Sequence, residues 1–143
     1  MPLPKITDAI KNASKRFEPG WTLIQLVSPP RATPPKAGKT GVNYFFEFEG
    51  QSGPMNSEDN KGRRDSLMIS GGALASGIAD VCETYFSMMS ALTGLSGTEI
   101  IDKDIDDNAI VGKQMWADIE FDVNEGKKFL RFKQISPATE IPF

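Results

Sequence analysis

No histidine occurs anywhere in the 143 residues, which removes Ser-His-Asp and Cys-His nucleophilic chemistry, histidine general bases and nearly all zinc sites together. Cys82 is the single cysteine, so no internal disulfide can form; a disulfide scaffold is excluded and a reducing compartment is compatible. Cys82 falls in a helical pattern and is expected in the core. Long apolar runs are missing too. Nothing approaches the roughly 20 residues that span a bilayer, and the start, Met1-Pro2-Leu3-Pro4-Lys5, lacks the apolar stretch of a secretory signal. An intracellular, cytoplasmic protein without membrane contact is expected. Excess positive charge is also absent: the net charge is -3, which argues against coating duplex DNA by bulk charge.

What is present fits one globular domain with a modest core: 39% hydrophobic and 24% charged residues. Charge is unevenly spread. Lys5, Lys11, Lys15, Arg16, Arg31, Lys36, Lys39, Lys61, Arg63 and Arg64 fall in residues 1 to 64 against few acids, and the remainder is acidic. Ile6, Ile10, Ala13 and Phe17 recur at helical spacing, with Thr7 or Asp8 to cap the start and Pro19-Gly20 to stop it. Trp21 to Ser28 is predicted as a strand, and the proline-rich segment Pro29 to Lys39 as an open loop. Asn43 to Glu49 alternates Tyr44, Phe46 and Phe48 against Asn43, Phe45, Glu47 and Glu49, the period of a half-buried strand. After a loop from Gly50 to Arg64, a short strand covers Ser66 to Ser70. One amphipathic helix then runs through Leu74, Ile78, Val81, Cys82, Tyr85, Met88, Met89 and Leu92 to Gly94.

Lys113 to Val123 and Lys127 to Ile135 form the best hairpin signal, around Asn124-Glu125-Gly126. A two-residue Glu125-Gly126 turn pairs Phe121 with Leu130 and Ile119 with Phe132 on one face, and Glu120 with Arg131 and Asp118 with Lys133 on the other. The order of helix, three strands, helix and two strands is that of a mainly β protein with helices: a five-stranded OB-fold-like barrel with its helix between strands 3 and 4. Residues 1–19 make an N-terminal arm or short helix, 20–135 the barrel domain and 136–143 a flexible tip.

Several acidic and glycine patterns imitate chemical sites and fail. Asp102, Asp104 and Asp106 open like a calcium loop, but Asp107 stands at its glycine position and Lys113 at its glutamate position. Gly72 to Gly77 has the glycine spacing of a phosphate loop without its Lys and hydroxyl. Asp118, Glu120 and Asp122 alternate on one strand face opposite basic residues, which favours a salt-linked surface over a magnesium site. No cofactor or metal is implied.

Single-strand binding needs aromatic faces for bases and a cationic groove for the backbone. Arg31, Lys36 and Lys39 lie in the loop after the first strand, and Lys61, Arg63 and Arg64 in the loop after the second. Phe45 is the leading stacking residue because its neighbours on that face are polar; Trp21 and Trp116 come next. Arg131 and Lys133 are expected to be neutralised by Glu120 and Asp118, and Lys11, Lys15 and Arg16 to form the solvated face of a short helix.

The last residues, Glu140-Ile141-Pro142-Phe143, put an acid, two apolar anchors and a rigid proline at one end. Such a tip suits a partner pocket lined with Arg or Lys. This ending resembles that of bacterial and phage single-stranded DNA-binding proteins, where it implies recruitment of replication and repair enzymes. The pattern from Gly20 through Val111-Gly112-Lys113 and the Gly126 hairpin to Pro137 is also similar to a family of small phage proteins encoded among recombination and replication genes. The resemblance implies a non-enzymatic protein of the host cytoplasm that binds single-stranded DNA, protects it and recruits replication or recombination proteins through the tip. A homo-oligomer is compatible. Alternatives are a virion structural or decoration protein, and a small inhibitor of host defence or replication enzymes. Glu140 is further expected to steer the tip toward a basic pocket or to occupy the protein's own basic groove when DNA is absent.

Overall fold

The structure, a computed structural model, describes residues 2–34, 41–52 and 59–143. It is mainly β. Among the described residues six strands, β1 (Gly20–Leu26), β2 (Arg31–Thr33), β3 (Asn43–Gly50), β4 (Arg64–Ser70), β5 (Gln114–Asn124) and β6 (Lys127–Pro137), form one antiparallel sheet. Its order is β2-β3-β1-β5-β6, with β4 on the other edge of β3. Helices α1 (Asp8–Ala13), α2 (Gly71–Ala75) and α3 (Ala79–Thr93) complete it, with short 3-10 helices at Gly97–Glu99 and Asp107–Ile110. No helix among the described residues is long and apolar enough to cross a membrane.

The sheet differs in two ways from the expected five-stranded OB-fold-like barrel. The first strand does not end at Ser28: Leu26 lies opposite Phe48 on β3, and Arg31 resumes pairing opposite Phe45. Pro29 and Pro30 lack the N–H that a ladder needs, so the chain bulges outward between the two pairings and one bent strand becomes β1 and β2. Closure is also absent. β4 and β6 approach each other without a hydrogen-bonded ladder, so the sheet stays open there. The N-terminal arm crosses this gap: Arg16 donates to Asp65 on β4 from Nε (3.0 Å) and Nη2 (3.1 Å), and to the Lys128 carbonyl on β6 from Nη1 (2.7 Å).

Alternation places Ile24, Leu26, Phe46, Phe48, Leu67, Ile69, Met115, Ile119, Leu130 and Phe132 on the inner face, against Met88, Met89 and Leu92 of α3. Phe48 meets Phe132 edge to face at 5.6 Å, and Phe46 meets Tyr85 at 6.4 Å. Burial, with Tyr44 nearby, pushes the Tyr85 phenol above its ordinary value.

The predicted long helix is two helices. Gly77 adopts a φ of 71°, a left-handed conformation that ends the α2 turn, and α3 starts beyond Ile78. Ser70 caps α2 by accepting from Ala73 N at 3.1 Å. Ile78 is consequently exposed, and Cys82, expected in the core, is half-buried with its thiol 3.7 Å from the Leu74 carbonyl. The N-terminal helix is six residues long, capped by Thr7. Ile6 and Ile10 are exposed, and Phe17 reaches the core from the extended segment beyond it. Asn60, fully buried, secures that segment: its Oδ1 accepts from Glu18 N at 2.6 Å, and its Nδ2 donates to Glu18 O at 2.9 Å and Thr22 Oγ1 at 2.8 Å.

In the hairpin, Glu125 (φ 52°) and Gly126 (φ 77°) both take the left-handed conformation of a two-residue turn, and Ile119–Phe132, Glu120–Arg131 and Phe121–Leu130 pair as predicted. Asp118 and Lys133 do not pair. Ala117 lies opposite Ile135, so Lys133 and Gln134 share one bulge opposite Asp118.

Candidate nucleic-acid interface

Because Phe46 and Phe48 of β3 and Leu67 and Ile69 of β4 point inward, Phe45 and Met68 point outward. They are cross-strand partners, and Arg31 on β2 is the partner of Phe45 on its other side. The result is a row across three strands: a cation, an aromatic ring and a thioether. The Arg31 guanidinium carbon lies 5.3 Å from the Phe45 ring centroid, within cation–π range. Met68 is 43% exposed. Nothing in the sequence singles out Met68, although its place between two inward residues was the available signal.

The other expected contacts disperse. Arg64 begins β4 rather than lying in a loop, and it is engaged by the outward glutamates of β3: Nε and Nη2 reach Glu49 Oε2 at 3.0 Å, and Nη1 lies 3.9 Å from Glu47 Oε1. Arg63 points the opposite way, toward the N-terminal arm. Its Nη1 donates to Glu18 Oε1 and to the Arg16 carbonyl, both at 3.2 Å. Lys61 is exposed in the turn beyond Asn60. Lys36 and Lys39 lie outside the described residues. Arg131 is neutralised by Glu120 (3.3 Å) and Asp122 (3.6 Å), whereas the bulge separates Lys133 from Asp118.

Trp21 and Trp116 belong to a second outward region, over β1 and β5. Trp21 is half-buried opposite Asp118, and Trp116 lies opposite Leu23. Trp116 is only 4% exposed, because Phe143 packs on it edge to face at 5.4 Å and 85°. Its Nε1 is buried without a hydrogen-bond partner among the described residues.

The fold of the last residues explains this cover. β6 continues to Pro137, with Ser136 paired to Trp116. A turn follows, in which Glu140 N donates to the Pro137 carbonyl and Ser136 Oγ to the Glu140 carbonyl, both at 3.0 Å. It sends the chain back across β5. Ile141 remains exposed, Pro142 is half-buried, and Phe143 keeps 41% of its surface accessible. The tip expected to extend from Ser136 is folded against its own subunit in this structure.

The acidic imitation of a calcium loop is also accounted for locally. Asp106 caps the 3-10 helix Asp107–Ile110, its Oδ1 accepting from Asn108 N at 2.9 Å.

Comparison with protein-family models gives no match, and a search of curated proteins gives no significant relative.

Proposed function

We propose that this chain is a non-enzymatic single-stranded DNA-binding protein of DNA replication, recombination or repair, of the kind phages encode. The observation that carries the reading is the outward row of Arg31, Phe45 and Met68 across β2, β3 and β4. Bases stack on Phe45 and Met68 while Arg31 meets the backbone, and Lys36 and Lys39, which in sequence connect β2 to β3, add phosphate contacts. Each base stacked on an aromatic face contributes about 1 to 3 kcal/mol, and such stacking tolerates any sequence.

The topology supports an OB-like reading. With β1 and β2 counted as one bent strand, the order is strand, strand, strand, helix α3, hairpin, and the gap between β4 and β6 is where such a barrel closes. Glu140, Ile141, Pro142 and Phe143 recruit replication or recombination enzymes. Phe143 must then exchange Trp116 for a pocket on the partner, so recruitment carries the cost of undocking.

Fluorescence anisotropy with labelled oligo-dT and a duplex of equal length, titrated across salt, tests the class. Tight binding that prefers the single strand and weakens with salt is expected. Absence of binding by folded protein, together with tip-dependent capture of an enzyme, turns the reading to an inhibitor; copurification with virions turns it to a structural role.

A further inference from the structure

Where the N-terminal arm crosses the open side of the sheet, it borders a solvent-open cavity of about 420 Å³ lined by Lys15, Arg16, Glu18, Arg63, Phe121 and Lys128, among others. We infer that this cavity binds a phosphate group of the DNA strand, a contact separate from the Arg31–Phe45–Met68 row. The inference rests on the single-strand reading for the identity of the ligand. Its chemistry comes from the cavity itself.

Four cations face one another here, and only two have carboxylate partners. Arg16 is held by Asp65, and Arg63 by Glu18. Lys15 and Lys128 form no ion pair among the described residues. Arg63 is mostly buried, and its Nε has no hydrogen-bond partner among the described residues. That Nε is closed to solvent, so an anion with several acceptor oxygens is drawn instead by the charge of the cleft, four cations against Glu18 and Asp65. Phosphate offers those oxygens, and two ammonium groups supply the balancing charge. Arg16 also lies 4.7 Å over the Phe121 ring, which with its hydrogen bonds to Asp65 and Lys128 makes one wall of the cavity rigid.

The position suits a strand that already crosses β4. Arg63 immediately precedes Arg64 at the start of β4, five residues before Met68, which at about 3.4 Å per residue is roughly 17 Å along the strand. A single strand lying on Phe45 and Met68 can therefore run down β4 and place a later phosphate at the arm. The helix-face lysines expected to be merely solvated divide accordingly: Lys15 lines the cavity, whereas Lys11 does not.

The test compares the parent chain with the double variant Lys15→Ala, Lys128→Ala and with Lys5→Ala, Lys11→Ala as a surface control. Both pairs are exposed, so folding is preserved. For oligo-dT, each lost phosphate contact lowers the logarithmic salt slope by about 0.7. The double variant is expected to lose about 1.4 in slope, while the control keeps the parent slope. Equal slopes for parent and double variant, with the parent binding normally, overturn the inference. Oligonucleotides with 5′-phosphate or 5′-hydroxyl ends separate the sources: a 5′-phosphate preference abolished by the double variant assigns a strand end, and equal affinity an internal phosphate. If the parent binds no oligonucleotide, the functional reading fails, and inorganic pyrophosphate then decides the cavity. A thermal shift of the parent that the double variant lacks sustains an anion site; no shift in either removes it.

Discussion

Among the described residues, aromatic side chains reach the outer face of the sheet at Phe45 on β3, at Trp21 and Trp116 over β1 and β5, and at Phe129 near the hairpin end of β6, and the chain treats the first two regions oppositely. Phe45, on β3, is half-buried between Met68 and Arg31, with the Arg31 guanidinium over its ring and no chain terminus packed on it among the described residues. Trp116, on β5, has the same strand parity yet is covered by Phe143 from the same chain. An outward aromatic is therefore not by itself a stacking surface. What distinguishes the two is whether a remote segment returns to cover the ring, and whether a cation stands beside it.

Substitutions at the two rings sharpen that contrast. Trp116→Ala removes a buried side chain and is expected to lower unfolding stability by about 3 to 5 kcal/mol, measured by denaturant titration. A loss below about 1 kcal/mol would place Trp116 outside the packed structure. Phe45→Ala is expected to act on binding instead, weakening oligo-dT by about 1 to 3 kcal/mol in anisotropy titrations. A pure stability loss with unchanged affinity breaks the proposed division.

Removing residues 140–143 exposes Trp116 and breaks one aromatic pair, which is expected to cost about 0.5 to 1.5 kcal/mol of stability and to shift tryptophan emission to longer wavelength. With Glu140 gone and a second aromatic face uncovered, oligonucleotide affinity at low salt rises. An unchanged salt titration shows that the tip and the strand do not compete. Arg31→Ala gives the smallest effect: a fall in salt slope of about 0.7, while Arg64→Ala, whose guanidinium is already held by Glu47 and Glu49, leaves the slope unchanged.

Local patterns in the sequence locate the elements well where the physics is local. The Glu125-Gly126 turn sets the hairpin register through Ile119–Phe132, since turn geometry and alternation act on neighbouring residues. Alternation in Asn43 to Glu49 likewise puts Phe45 outward. The pattern fails where an extra residue enters a ladder without disturbing composition, as at Lys133 and Gln134, or where prolines interrupt a strand that later resumes, as between Leu26 and Arg31. It fails most at the site. That Phe143 covers Trp116, that Arg63 turns to Glu18 and that Arg16 joins Asp65 are contacts between distant residues, and no spacing rule encodes them.

The central claim is that unpaired bases lie on Phe45 and Met68. Ultraviolet crosslinking of iodouracil-substituted oligo-dT to the whole protein, followed by peptide mapping, tests it directly. Adducts are expected on the β3 and β4 peptides containing Phe45 and Met68. Adducts confined to Trp21 or Trp116, or no adduct from folded protein at low salt, would contradict it.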